Sequence, residues 1–523
     1  MSKNFQNIEI TPAGKQYLEK IVTNTDKNVY AFKDNVSQQT VAAAMARLSR
    51  RPDDMRITLL DEFANSDDND EQLLKRVITA YGDDSVQQLA GLHLVIENAS
   101  NLLTKKIEWG RLAAYLEQST RYIYFDKKDK DGKYKYFVPD GLPKDLASQY
   151  VEIMDQIFKN YSKIVRSLTE HIRNHSDIKE SERDQAWRNA TKAQACDVAR
   201  ALLPVATTST VGVFVSAQAL EDMIMRLLSD KTAEARSVGR DILSESRKVM
   251  RAFLERVDIS DRGVLTISHK AFVRDSSEEI ADKYLPPNYG LANEELELTD
   301  FWPKNELDVA ADILYEHSSL SLGDIRSEID KWSLENKKEV IDRYIGDRLN
   351  RRHKPGRAFE KVHYSWDIVC DYGIFRDLQR HRMVDDLAWQ KLTPRYGYNV
   401  PDLVEEAGLI DVYEQCFDLS LSLYSMLQAA GYIEEAQYAT LMGHKMRWKL
   451  TFNARQAYHL VELRTSSQGH PTYRKIVQNM YQKICEVHPV IGAGMKFANL
   501  DDSHDLVRLE SEKRTKQKLN KLK

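Results

Sequence analysis

The sequence predicts an α+β, helix-rich protein in two tandem halves, each a helical block, a short strand-like piece and a second helical block. Three observations carry this expectation. The first is an internal repeat: TVAAAMARLS at 40–49 returns as DVAADILYEH at 308–317, and the same offset of about 270 carries the apolar segment 84–108 onto 355–379. The match continues in order, with STRYIYF (119–125) over TPRYGYN (393–399), FVPDGL (137–142) over NVPDLV (399–404), and Arg226 with Arg236 over Arg464 with Arg474. The second is helical spacing of apolar residues over most of each half, and the third is a short stretch of alternating aromatic residues.

Taken in order, the segment 84–108 places Leu89, Leu92, Leu94, Val95, Ile96, Ala99, Leu102, Leu103 and Ile107 mostly three and four apart, which predicts a long buried helix. In YIYFDKKDKDGKYKYFV (122–138), two aromatic, alternating runs flank Asp131 and Gly132, which predicts a β-hairpin. Helical spacing then dominates 143–174, 181–203 and 206–256. Pro and Gly in SDRG, LPPNYG and FWPKN make 258–303 an expected linker between domains at 1–257 and 304–523. The basic tail RLESEKRTKQKLNKLK is expected to be a frayed, solvated helix.

Composition narrows the function. Lys+Arg 75 against Asp+Glu 79 gives a net charge of -4, so the broad positive field of a general nucleic-acid binder is missing. Any anion site must be local. Cys196, Cys370, Cys416 and Cys485 are far apart and make no CxxC or Cys/His group, so no structural zinc, other metal site or disulfide framework is expected. The start MSKNFQNIEI has no signal-peptide pattern and no apolar run approaches 18 residues, so the expectation is a soluble, cytoplasmic protein with no membrane partner.

The stretch FRDLQRHRMVDDLAWQKLTPRYGYN (375–399) sets Arg380, His381 and Arg382 side by side, with Arg395 and Tyr396 just beyond. Adjacent cations repel, so this is either a solvated basic turn or an anion site. A second cluster, Arg351, Arg352, His353, Lys354 and Arg357, poses the same choice.

The order of blocks, with RHR...TPRY and FNARQAYHLVELRTSSQGHPTYR, resembles the flavin-dependent thymidylate synthases, whose signature is RHRxxSxNxxSxRY followed by a helix of NARxxxNFLxLR type. The resemblance spans roughly 40–257 and 305–495 and is sharpest at NARQAYHLVELR, which aligns without a gap. Members are typically half this length and form homotetramers with active sites between subunits. This chain resembles two such subunits fused: two tandem synthase-like domains, each a small antiparallel sheet with long helices. A homodimer would then reproduce the four-domain core.

The resemblance implies reductive methylation of dUMP to dTMP, with methylenetetrahydrofolate giving the carbon and FAD, reduced by NADPH, giving the hydride; no cysteine nucleophile is needed. Carried over residue by residue, Arg380, His381 and Arg382 fall on the triplet that grips FAD, and Asn453, Arg455 and His459 on flavin-contacting positions. Arg464 falls on the arginine that polarises the dUMP pyrimidine, and Thr393 and Arg395 on positions near its phosphate. Forked, always-charged guanidinium groups suit phosphates.

The first half departs from this pattern. In WGRLAAYLEQSTRY, Trp109 and Gly110 replace the first Arg and the His, which leaves Arg111. Yet Glu117, Ser119 and Arg121 keep the nucleotide side of the motif, Arg200 matches a phosphate-binding arginine and Arg226 the ring-polarising one. The second half is weak where the first is complete: Gln437 stands for Arg200, Lys391 for Glu117, and MVDDLAWQKLT makes its motif three residues longer than the family spacing. YGDDSVQQL lacks both histidines of the family's GHxSxxEH segment. Such complementary losses imply a composite site that draws on both halves. The altered spacing leaves open a flavoenzyme acting on another pyrimidine, and the degenerate half leaves open an inactive nucleotide-binding relative.

Overall fold

The computed structural model describes residues 10–49, 51–63, 84–286 and 295–501, with positions 509, 513 and 517 near the C-terminus. Most of the basic tail and the start of YGDDSVQQL lie outside the described residues. Among the described residues no helix is long and apolar enough to cross a membrane, and no group of His, Cys, Asp and Glu could hold a metal ion.

The chain divides into two compact units: one of Met1–Ala99, Lys106–Glu117 and Ser209–Pro287, the other of Ser100–Lys105, Gln118–Thr208 and Asn288–Lys523. The smaller unit is built around three strands, β1 (Gly91–Ser100), β2 (Ala113–Glu117) and β3 (Thr208–Ser216), in the order β1-β3-β2, with β2 and β3 antiparallel. Ser216 caps the helix Ala217–Leu228 by accepting from the Ala219 N–H, and that helix buries Leu220, Met223, Ile224 and Leu227 in a three-and-four stripe. Helix Ala233–Leu254 packs on it.

The larger unit has a four-stranded antiparallel sheet, β4 (Leu296–Trp302), β5 (His363–Asp371), β6 (Asp386–Trp389) and β7 (Lys445–Asn453), in the order β4-β5-β7-β6. Tyr364, Trp366 and Ile368 pair with Phe452, Leu450 and Trp448 on its buried face; Ser365, Asp367, Lys449 and Thr451 alternate on the other. Helices Lys144–Asn174, Ile410–Ala429, Ala454–Arg464 and Pro471–Val487 feed the same core.

The duplication extends to topology. The order β1-β3-β2 recurs as β5-β7-β6, and helix Asn101–Ile107 after β1 recurs as Tyr372–Leu378 after β5. The fold is helix-rich with small antiparallel sheets.

Four local expectations are corrected, the first being helix over 206–256, where Thr208–Ser216 with its β-branched run is strand β3 and helix starts at Ala217. The segment 84–108 is a short 3-10 turn, strand β1 and then helix Asn101–Ile107, since the β-branched run Val95–Ile96 joins a sheet while helical packing starts only after Ser100. Residues 122–138 make the expected tight turn, with Asp129 N–H bonded to the Lys133 carbonyl at 2.8 Å and Gly132 at φ 74°, but the flanking aromatic runs form no ladder. The ring of Tyr134 is taken up instead by Phe158, 5.2 Å away. The expected linker holds the helix Gly263–Tyr284 and strand β4, with Gly263, Pro286 and Pro303 at the ends of these elements, while residues 287–294 lie outside the described residues.

Candidate functional site

Strand β7 ends at Asn453, whose side chain accepts from the Gln456 N–H at 2.9 Å and starts helix Ala454–Arg464. The helix sets Arg455 and His459 four apart on one face and ends at Arg464. Strand β5 ends at Asp371, which caps helix Tyr372–Leu378 through the Ile374 N–H at 2.8 Å. The RHR triplet follows that helix. It splits: Arg380 and Arg382 are exposed, while His381 turns inward to 5% exposure. There Arg464 Nε donates to His381 Nε2 at 2.8 Å, and Gln456 meets His381 Nδ1 at 2.9 Å. The His459 ring stands edge-on to His381, 5.5 Å away.

The first half of the sequence supplies the rest of this cluster. Arg200, after helix Gln185–Ala199, donates to Asp377 Oδ2 at 3.1 Å, and Arg380 donates to Oδ1 of the same carboxylate at 2.7 Å. Gly373 allows the approach, since a Cβ there would lie 3.2 Å from Arg200 Nη2. Arg121 makes a two-pronged pair with Asp197, at 2.8 and 3.0 Å. Arg121 and Arg464 both lie over the Tyr473 ring, at 5.8 and 5.5 Å. His470 Nε2 reaches the Asp197 carbonyl at 3.0 Å.

Burial works against the charge on Asp377, yet Arg200, Arg380, Arg121 and Arg464 together hold it well below the usual carboxylate range. Burial pushes Asp197 and Asp371 up to about 6 despite neighbouring arginines. Burial, then Arg464, His459, Arg380 and Lys354, holds His381 well below its ordinary value and therefore neutral. Four guanidiniums thus meet three carboxylates among the described residues, two of which ionise reluctantly. Among the described residues, Arg200 Nη2 is buried with no hydrogen-bond partner and no carboxylate is ion-paired to Arg464. That surplus positive charge fits a phosphate.

The remaining candidates are placed more simply. Ser119 accepts from the Arg121 N–H at 3.1 Å; Thr393 accepts from the Arg395 N–H at 3.3 Å, and Arg395 lies over Tyr396 at 5.0 Å, in a tight turn at the sheet's edge. In the smaller unit, Glu117 is buried at the end of β2. There Arg226 donates to the Lys106 carbonyl and lies 5.0 Å from the Trp109 ring. Arg464 binds a histidine; its counterpart Arg226, facing Gly110 where that histidine would be, takes a carbonyl and an indole instead.

The donor set around His459 fits a dinucleotide pyrophosphate. Lys354 is lowered by burial and by Arg455, Arg348 and Arg351, and His459 falls to about 4 through burial, Lys354, Arg351 and Arg464. Cations crowd there with Glu360 as counter-charge to Arg455, at 3.6 Å. Asn453, Arg455 and His459, with Arg380, lie where a phosphate-bearing group could be held. Sequence reasoning overlooked Asp377, Asp197, Tyr473 and Gln456; the i,i+3 spacing of Asp377 and Arg380 was the available signal for the first.

The family model described as "Thymidylate synthase complementing protein" matches residues 33–250 and 297–490. A UPF0159 protein of Chlamydia pneumoniae is 29% identical, covering 97% of this chain and 98% of its own length. One of Thermoplasma acidophilum is 28% identical over 90% of this chain and 97% of its own. A protein of Clostridium tetani named flavin-dependent thymidylate synthase is 26% identical over 40% of this chain and 78% of its own length. With two matched regions that together take in most of the sequence, the chain belongs to the thymidylate synthase complementing protein family, that of the flavin-dependent thymidylate synthases, as a tandem duplication of two diverged halves.

Proposed function

We propose that the protein is an FAD-dependent enzyme that converts dUMP to dTMP, with methylenetetrahydrofolate as carbon donor and NADPH as reductant. The observation that carries this reading is Arg464: a half-buried guanidinium, ion-paired to no carboxylate among the described residues, beside three further arginines drawn from both halves. Such a cation suits negative charge that develops on a pyrimidine oxygen. Arg200 and Arg121, with Ser119, Thr393 and Arg395, serve the nucleotide. Arg380, His381, Arg382, Asn453, Arg455 and His459 serve FAD, which when bound would supply the hydride.

The cysteines support a route without a thiolate. Burial pushes Cys196 and Cys416 up to about 12 and raises Cys370 and Cys485 too, so none is an activated nucleophile. Neutral His381 accepts a hydrogen bond from Arg464 and is no proton donor near pH 7. In the first half, Arg226 and Trp109 close on each other where the triplet has been lost, which supports one working site type and a decayed twin. A homodimer in the cytoplasm, with four synthase-like copies, goes with this reading.

The test is tritium release from 5-tritiated dUMP with methylenetetrahydrofolate and NADPH present. Release is expected, and the purified protein is expected to be yellow; Arg380→Ala should lose the flavin absorbance while its far-UV spectrum stays unchanged. The lengthened segment before Thr393, which forms strand β6, favours a second reading, another pyrimidine nucleotide as substrate, indicated by a yellow protein that releases no tritium. A colourless protein that binds dUMP would be an inactive relative.

A further inference from the structure

Gln456 and His381 are both buried, at 6% and 5% exposure, and form a chain of contacts that ends at Arg464. A guanidinium carries donors only. His381 Nε2, which receives the Arg464 Nε–H, must therefore be the unprotonated nitrogen, and the neutral ring keeps its hydrogen on Nδ1. That hydrogen faces Gln456 at 2.9 Å, so the amide has to meet it with its oxygen; the two ends of an amide exchange by a simple flip. The charged and titratable groups that face the ring are Arg464 and His459 from helix Ala454–Arg464, Arg380 from its own turn and Lys354 from the preceding loop. All disfavour a second proton. If nothing accepted the Nδ1 hydrogen, a buried donor would be left unpaired, and the preference for the tautomer that receives the Arg464 donor would weaken by the cost of that lost bond.

We infer that Gln456 is a positioning residue: by accepting the Nδ1–H it fixes the tautomer of His381, which in turn holds Arg464 aimed at the substrate. The inference rests on the proposed role of Arg464 and adds the device that keeps that arginine in place. It also explains why a helix position between flavin-facing Arg455 and His459 is spent on a buried amide.

Two measurements test it. In protein labelled with 15N-histidine, the His381 resonances should report Nδ1–H and a bare Nε2 from about pH 6 to about pH 8; an Nε2–H tautomer or an imidazolium there would overturn the inference. Gln456→Glu places an acceptor at the same spot but with charge, kept ionised by Arg464, Arg380 and Lys354. His381 then takes a second proton as pH falls, and its Nε2–H confronts Arg464. Affinity for dUMP by calorimetry should drop about tenfold or more at low pH and recover as pH rises, an acid limb absent from the wild type. A profile parallel to wild type would refute the assignment. Gln456→Leu, similar in size but no acceptor, should lower kcat about tenfold with KM for folate unchanged; should it melt early, Gln456→Glu and the tautomer still decide. If wild-type protein binds no dUMP, the functional reading fails, while the resonances of His381 in both proteins still judge this inference.

Discussion

Asp377 is the residue on which the arginine cluster balances. Its two oxygens each take one guanidinium, Arg200 from the first half and Arg380 from the second, and its side chain is 4% exposed. Truncation would strand Arg200, itself 5% exposed, without its ion-pair partner. Asp377→Ala should therefore destabilise the protein by about 3–5 kcal/mol in urea unfolding, whereas Asp377→Asn, which keeps one acceptor, should cost less. Equal and negligible losses would mean that the cluster is held by other contacts. Two neighbouring carboxylates predict a pH dependence. Asp197 and Asp371 are raised to about 6 by burial, so the folded state binds protons that the unfolded chain, with carboxylates near 3.9, has already lost. Their contribution is fully present below about pH 4 and lost as pH rises through about 6, on the order of 3 kcal/mol per group. Unfolding midpoints should fall between about pH 4 and 6, and Asp371→Asn, which can still cap its helix, should flatten that slope.

At the scale of elements, the two strand ends do the placing. Asn453 and Asp371 stop β7 and β5 and start the helices that carry Arg464 and Asp377. Asn453→Ala should cost about 1 kcal/mol in denaturant and should weaken flavin retention more than Ala substitution at Ser333, a comparable cap on helix Leu334–Ile345. The same elements show what can be read from sequence. RHR, NARQAYHL and the arginines of the first half were legible because their charge and order are local properties. Their partners were not: Arg200 meets Asp377 across 177 residues and Arg121 meets Asp197 across 76, which only packing decides. Strand β1 was hidden because its outward residues include Val95, 69% exposed, so the polar side of the alternation is broken and helical spacing imitates it. The aromatic run 122–138 misled for the converse reason, since its rings pack on helix Lys144–Asn174 rather than across a ladder.

For the whole molecule, the duplication in sequence and the compact units in space do not coincide, and this carries a prediction. Residues 118–208, from the first half, share one core with the second half. Tyr150, Met154, Ile157, Phe158, Tyr161, Ile164, Val165 and Leu168 of helix Lys144–Asn174 are fully buried there, with Tyr413, Phe417, Leu423 and Leu427 of helix Ile410–Ala429 in the same cluster. Asn160 bonds Gln415 at 3.1 Å, and the backbones join where Val205 N–H meets the Thr440 carbonyl at 2.7 Å and Met442 N–H the Leu203 carbonyl at 2.8 Å. A large apolar side chain contributes about 1.5–3 kcal/mol when buried, so eight of them together are comparable to or larger than the roughly 5–15 kcal/mol by which a domain is stable. Residues 288–523 expressed alone, although they hold a complete RHR motif and a complete sheet, should therefore aggregate or show no near-UV signal. Adding residues 118–208 as a second polypeptide should restore both the signal and a cooperative melt. If residues 288–523 alone melt as sharply and as high as the intact chain, the first half is dispensable to this core, and Arg121 and Arg200 would have to reach the site by docking rather than by folding with it.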